Sequence, residues 1–186
     1  MPILAAEPMI LPDDLIQVAN ERLEAGDRWW AMYTLARREK ELMRRLRAMK
    51  ISHYCPLVPR RTKSPAGRVR MAHIPLFGSY VFVLGDETVR HQSLTTNCIS
   101  QCLDVVDPTR LTFDLSQVQR LIACNAPLTP EARLQPGRCV RIRSGPMMGL
   151  EGIVAKRRGK DWLVISLEFL KQGVSVLLED YQVEAI

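Results

Sequence analysis

Ten residues, Ile74-Pro75-Leu76-Phe77-Gly78-Ser79-Tyr80-Val81-Phe82-Val83, constrain the rest of this chain most. Side chains alternate across a strand with a period of two, so Tyr80 and Phe82 share one face and Val81 and Val83 the other. Both faces are apolar. Such a strand is buried on both sides or gives one side to a partner. Pro75 and Gly78 punctuate its approach, and the Leu76-Phe77 preface reads as an exposed anchor. Covering this strand requires other apolar elements. A chain of 186 residues, 47% hydrophobic, supplies enough for one domain or two small ones.

The flanking sequence predicts those elements in order. Pro12-Asp13-Asp14-Leu15 starts a short amphipathic helix that Gly26 ends, with an acid near the cap. Trp29 to Leu35 is bulky and unbroken, which predicts a strand. From Arg37 onward Leu42, Leu46 and Met49 recur at helical spacing among arginines, which predicts a basic amphipathic helix. His53 to Pro59 reads as a short extended segment, Arg60 to Gly67 as a basic loop, and Arg68 to Ala72 as a hairpin partner of residues 54–59. Residues 87–110 have weak patterning. A second helix is predicted from Phe113, capped by Asp114, with Leu115, Val118, Leu121 and Ile122 on one face.

Composition shifts at Cys124 to Gly137, a stretch with three prolines and no period, and the boundary between domains is expected there. Beyond it, strand-like runs at 139–143, 152–157, 162–167 and 174–178 are separated by turn residues. That spacing predicts a small closed barrel.

Charge is unevenly spread. Residues 1–27 carry six acids against Arg22 alone, whereas residues 37–70 carry twelve Lys/Arg against Glu39 and Glu41. A basic block of that size can attract a polyanion. No window has the roughly 18 unbroken apolar residues of a membrane helix, and the amino terminus lacks a basic segment followed by a long apolar one. The chain therefore reads as soluble and cytoplasmic, with no membrane partner. Its five scattered cysteines do not suggest a disulfide framework. Cys98-x-x-x-Cys102 has no second pair and the histidines are isolated, so neither a metal nor another cofactor is expected. There is no Ser/His/Asp set, and Gly145 to Gly152 lacks the Lys-Ser/Thr of a phosphate loop, so the chain reads as a non-enzyme.

Pro136-Gly137-Arg138-Cys139-Val140-Arg141-Ile142-Arg143-Ser144-Gly145-Pro146-Met147-Met148-Gly149-Leu150-Glu151-Gly152-Ile153-Val154 resembles a KOW motif. Its glycines fit tight turns or close backbone approach. Preceded by Arg28-Trp29-Trp30, the basic helix, Cys55-Pro56 and the 75–83 run, it gives an order of motifs resembling the NusG family of transcription elongation and antitermination factors over residues 28 to 186.

The resemblance implies an α+β chain: an acidic leader (1–27), an α/β sandwich NusG N-terminal domain (28–124), a linker (125–135) and an all-β SH3-like KOW barrel (136–186). It further implies an RNA polymerase-binding patch that grips the clamp helices through Trp30, Leu76, Phe77, Tyr80 and Val81. Arg37, Arg38, Arg60, Arg61 and Lys63 would face upstream or non-template DNA. Phe169 and Leu170 would bind a second partner, such as a ribosomal protein or Rho. Family members commonly read Phe-Pro-Gly-Tyr where this chain has Phe77-Gly78-Ser79-Tyr80, and Asn97 to Ser100 lacks the usual glycine. Those departures, with the leader, point toward a specialised paralogue of the RfaH or polysaccharide-operon type. A KOW-type RNA-binding or ribosome-associated protein is the alternative.

Overall fold

The computed structural model describes residues 7–63, 67, 69–131, 137–178 and 183–186. The chain is mixed α/β and divides into two compact units, Met1–Val106 and Asp107–Ile186.

The first unit runs β1 (Ile10–Leu11), α1 (Leu15–Glu24), β2 (Arg28–Thr34), α2 (Glu39–Ala48), β3 (His53–Tyr54), β4 (Leu57–Lys63), β5 (Val69–Pro75), β6 (Tyr80–Gly85), α3 (Glu87–Leu94) and β7 (Ile99–Asp104). Five strands form an antiparallel sheet in the order β1-β3-β6-β2-β7, while β4 and β5 make a separate two-stranded ribbon. The two-faced reading of β6 holds along its length. Val81 and Val83 lie opposite Met32 and Trp30, and Phe82 and Leu84 opposite Ala31 and Trp29, and all eight are buried. α2 contributes Leu42, Met43 and Leu46 to the cluster on the Trp30 side. Each such side chain stabilises the fold by about 1.5–3 kcal/mol relative to an exposed one.

Some boundaries differ from expectation for local reasons. Ile74 and Pro75 belong to β5 rather than to β6, and Leu76–Ser79 is the turn between them. Arg60 to Lys63, expected as loop, continues β4 because it pairs with Val69 to Ala72. The weakly patterned stretch after Asp86 holds both α3 and β7. Asp86 caps α3 by accepting the Val89 N–H at 2.9 Å. Met49 lies beyond the end of α2 and is exposed.

The second unit runs α4 (Pro108–Ala123), β8 (Leu128–Glu131), β9 (Arg138–Ile142), β10 (Glu151–Arg157), β11 (Lys160–Leu167), a 3-10 turn at Glu168–Leu170, β12 (Gln172–Leu177) and β13 (Val183–Ala185). The strands form one antiparallel sheet in the order β13-β9-β10-β11-β12-β8. It is open, not the closed barrel expected, because β13 and β8 each pair on one side among the described residues. Part of the expected linker is the strand β8; residues 132–136 of it lie outside the described residues.

α4 starts earlier than Phe113. Its cap is Asp107, which accepts the Arg110 N–H at 2.8 Å, and Pro108 sits in its first turn. Asp114 is not a cap but a buried mid-helix carboxylate. It accepts the Glu168 N–H at 2.9 Å and pairs with Arg110 at 3.0 Å. Burial pushes its carboxyl above the usual range, against the lowering effects of these two donors. Arg120 donates to the Met148 carbonyl, so α4 is tied to the sheet's loops from its middle and from near its C-terminal end.

The β9–β10 connection shows what its glycines do. Gly145 and Gly149 have φ of 81° and 78°, and the Gly149 N–H reaches back to Ile142 O at 2.8 Å.

Candidate functional site

The turn between β5 and β6 is the centre of the candidate site. Leu76 donates its N–H to Pro56 O at 2.8 Å, and Tyr80 donates to Phe77 O at 3.2 Å, which closes the turn. Ser79 adopts a left-handed φ of 66°. Glycine is favoured in that conformation, and an L-residue there costs about 1–2 kcal/mol. Two contacts hold Ser79 in it. Its N–H donates to Glu39 Oε1 at 2.8 Å, and its carbonyl accepts the Thr34 N–H at 2.8 Å.

Tyr80 then opens β6 directly across from Tyr33 of β2. Their rings meet edge to face at 5.1 Å between centroids. Tyr33 is 38% exposed and Leu35, two residues on, is 47% exposed. Burial pushes the Tyr80 phenol up and Tyr33 adds to the effect, so the Tyr80 hydroxyl stays a neutral donor near neutral pH. Tyr33 and Leu35 were not singled out from the sequence, where they read as part of a core strand. The signal that could have found them was the period-two alternation, which turns them away from buried Met32 and Thr34.

The other four aromatic or apolar residues expected in this patch are buried: Trp30 at 4% exposure, Leu76 at 4%, Phe77 at 2% and Val81 at 0%. Trp30 and Val81 belong to the core cluster of the first unit. The Trp30 indole N–H donates to Gly85 O at 3.0 Å, and the Arg90 guanidinium lies 5.4 Å from its ring centroid. The expected surface patch is thus reduced to Tyr80, with Tyr33 and Leu35 beside it.

The basic residues also divide. Arg38 bonds Glu41, and Arg45 bonds the same carboxylate at 2.7 Å; together they hold the Glu41 carboxyl below its usual range. Arg44 pairs with Glu7, and Arg47 donates to the carbonyls of Pro8 and Ile10. Much of the basic helix is therefore engaged by the chain itself. Arg37, at φ 61°, and Arg60 and Arg61 on β4 are exposed without an ion-pair partner among the described residues. Lys63 ends β4 opposite Val69, and exposed Met71 lies opposite Arg61.

In the second unit Phe169 and Leu170 are half-buried in the 3-10 turn, which α4 contacts. A cleft of about 270 Å³ lies between α4 and the sheet, with Phe113 on the helix side and Ile153 and Ile165 as its floor. Its three acids are already matched, Asp114 by Arg110, Glu151 by Arg141 and Glu168 by Lys171.

On β3, opposite Val83, His53 is fully buried. Its Nδ1 lies 2.8 Å from Ile51 O, and its Nε2 has no partner. Burial lowers its pKa, with Arg47 also lowering it and the Ile51 bond opposing. The unfolded chain therefore takes up this proton more readily. Stability should be constant above about pH 6.5 and should fall on acidification below that value, with a limiting slope of about 1.4 kcal/mol per pH unit. Urea midpoints at pH 7.5 and 5.5 check this, and His53→Gln should flatten that part of the dependence.

The first unit thus presents exposed Tyr33 beside half-buried Tyr80, and exposed arginines without an ion-pair partner among the described residues. Among the described residues no group of three or more His, Cys, Asp or Glu is arranged to hold a metal, and no helix is long and apolar enough to cross a membrane. Residues 27–120 match the family model of NusG, the transcription termination factor nusG, and the chain belongs to the NusG family. That membership supports a role in transcription, and proteins of this family are transcription factors rather than enzymes. The solved structure of Thermotoga maritima NusG, from work on domain interaction in that protein, is similar at 16% identity. The match covers 87% of this chain and 98% of that one, with a TM-score of 0.43. Comparison with curated proteins finds no match.

Proposed function

We propose that this protein is a transcription elongation and antitermination factor that binds the clamp helices of RNA polymerase through its first unit. The observation that carries this reading is the tyrosine pair, exposed Tyr33 of β2 packed on half-buried Tyr80 at the start of β6, within a region matched by the NusG family model. Trp30, Leu76, Phe77 and Val81, expected in the same patch, are buried instead. Arg37 and Arg38 in the β2–α2 turn, Arg38 partly engaged by Glu41, and Arg60, Arg61 and Lys63 on β4 would face upstream or non-template DNA, where phosphate contacts are insensitive to sequence.

Residues 136–186, within the second unit, are then a KOW module, and Phe169 and Leu170 form the site of a further partner such as a ribosomal protein or Rho. The positive φ of Gly145 and Gly149 in the motif supports this part. Retention of the purified chain on core RNA polymerase tests the whole. Tyr80→Ala and Tyr33→Ala should each weaken it about 10- to 30-fold, as for a central aromatic at an interface. Undiminished retention of both variants would count against the tyrosine face.

A further inference from the structure

We infer that Glu39 is a positioning residue for the tyrosine face, acting through Ser79 rather than by touching the polymerase. The inference rests on the polymerase-binding reading above and adds to it a residue that sets the presentation of Tyr80.

The argument begins at Ser79. A non-glycine residue at φ 66° is disfavoured by its own Cβ, so the turn persists only if neighbours hold it. Two elements do so. β2 supplies the Thr34 N–H to the Ser79 carbonyl, and α2 supplies Glu39 Oε1 to the Ser79 N–H, each at 2.8 Å. The second bond is charge-assisted, roughly twice as strong as a neutral one, and is made by a side chain 40 positions away in sequence. The next residue is Tyr80, whose ring packs on Tyr33. The direction in which β6 leaves the turn, and with it the lie of both rings, therefore depends on where Ser79 is pinned. Glu39 is also the first residue of α2, beside Arg37 and Arg38. One carboxylate thus couples the start of the basic helix to the aromatic surface.

The bond makes separable demands on substitutions. Gln at position 39 keeps an oxygen acceptor and loses the charge, whereas Ala loses both. Gly at position 79 removes the conformational cost, so the turn no longer needs the clamp.

The test measures binding of the full chain to core RNA polymerase for Glu39→Ala, Glu39→Gln, Tyr80→Ala and the Glu39→Ala/Tyr80→Ala pair, with amide hydrogen exchange at Ser79. Glu39→Ala should weaken binding about 5- to 10-fold and remove protection of the Ser79 N–H. Glu39→Gln should recover most of both, and so should Glu39→Ala combined with Ser79→Gly as far as binding is concerned. In the Tyr80→Ala background Glu39→Ala should change binding less than about 2-fold, since contacting residues couple and independent ones add. Full additivity with Tyr80→Ala, or Ser79 protection that survives Glu39→Ala, overturns the inference. If Tyr80→Ala weakens binding and Glu39→Ala does not, the inference alone fails. If Tyr80→Ala has no effect, the tyrosine face fails and the inference with it.

Discussion

Trp30→Ala is expected to cost the first unit about 3–5 kcal/mol, the range for removing a large aromatic from a packed core. Trp30 is 4% exposed and shares its cluster with Met32, Leu42, Ile51, Val81 and Val83. Truncation would leave a cavity walled by these side chains. It would also strip the Gly85 carbonyl of its indole donor and leave the Arg90 guanidinium without the ring it covers; a carbonyl left unsatisfied adds about 1–3 kcal/mol where water does not replace the donor. Urea unfolding gives the loss as a drop in midpoint. The same variant separates two roles for this tryptophan. A core residue lowers stability, and polymerase binding only to the extent that the unit unfolds. Lost binding with unchanged stability would return Trp30 to the surface patch that its position in the family motif implies.

Gly152→Ala is the counterpart in the second unit, with an expected cost of about 1–3 kcal/mol and more for Gly152→Val. A Cβ on Gly152 would sit 2.5 Å from Val164 O and 3.0 Å from Leu163 Cδ1. The first of these is backbone of the neighbouring strand β11, within the Ile153↔Val164 ladder. A side chain could swing away; a paired strand can yield only by breaking its ladder. Hydrogen exchange resolves the effect by unit: protection should fall across β10 and β11 and stay unchanged across β2 and β6. Uniform protection in both would show that the close approach has no energetic weight.

Gly152 and Trp30 also mark what was legible in the sequence. The KOW glycines could be read as positions of tight turning or close approach because glycine has few other reasons to recur at such spacing, and Gly145, Gly149 and Gly152 occupy those conformations. The β6 strand was legible for a similar reason: period two needs no knowledge of its neighbours. What could not be read was the choice of which apolar residues remain at the surface. Trp30 and Tyr33 stand three apart in one strand, hence on opposite faces, and the bulk that predicted the strand says nothing of which face is covered. α3 and β7 escaped notice because Glu87–Leu94 has only a faint apolar stripe and Ile99–Asp104 is largely half-exposed. Asp114 has the composition of a cap, but Asp107, seven residues earlier, already fills that role ahead of Pro108. The basic block looked available as a whole, yet Arg38, Arg44, Arg45 and Arg47 find partners that are distant in sequence or set by helix geometry.

The placement of α4 has a practical consequence for dissecting the chain. The family match runs through most of this helix, to residue 120, whereas its packing assigns it to the sheet of the second unit. Severing the chain in the proline-rich stretch after Ala123 would take from that sheet the carboxylate that satisfies Glu168 N–H and the guanidinium that satisfies Met148 O. It would also bare the apolar floor formed by Ile153 and Ile165. A cut beside Val106, which is 94% exposed, removes none of these bonds. The seam that composition suggests and the seam along which the sheet keeps its own partners are thus different places, about twenty residues apart.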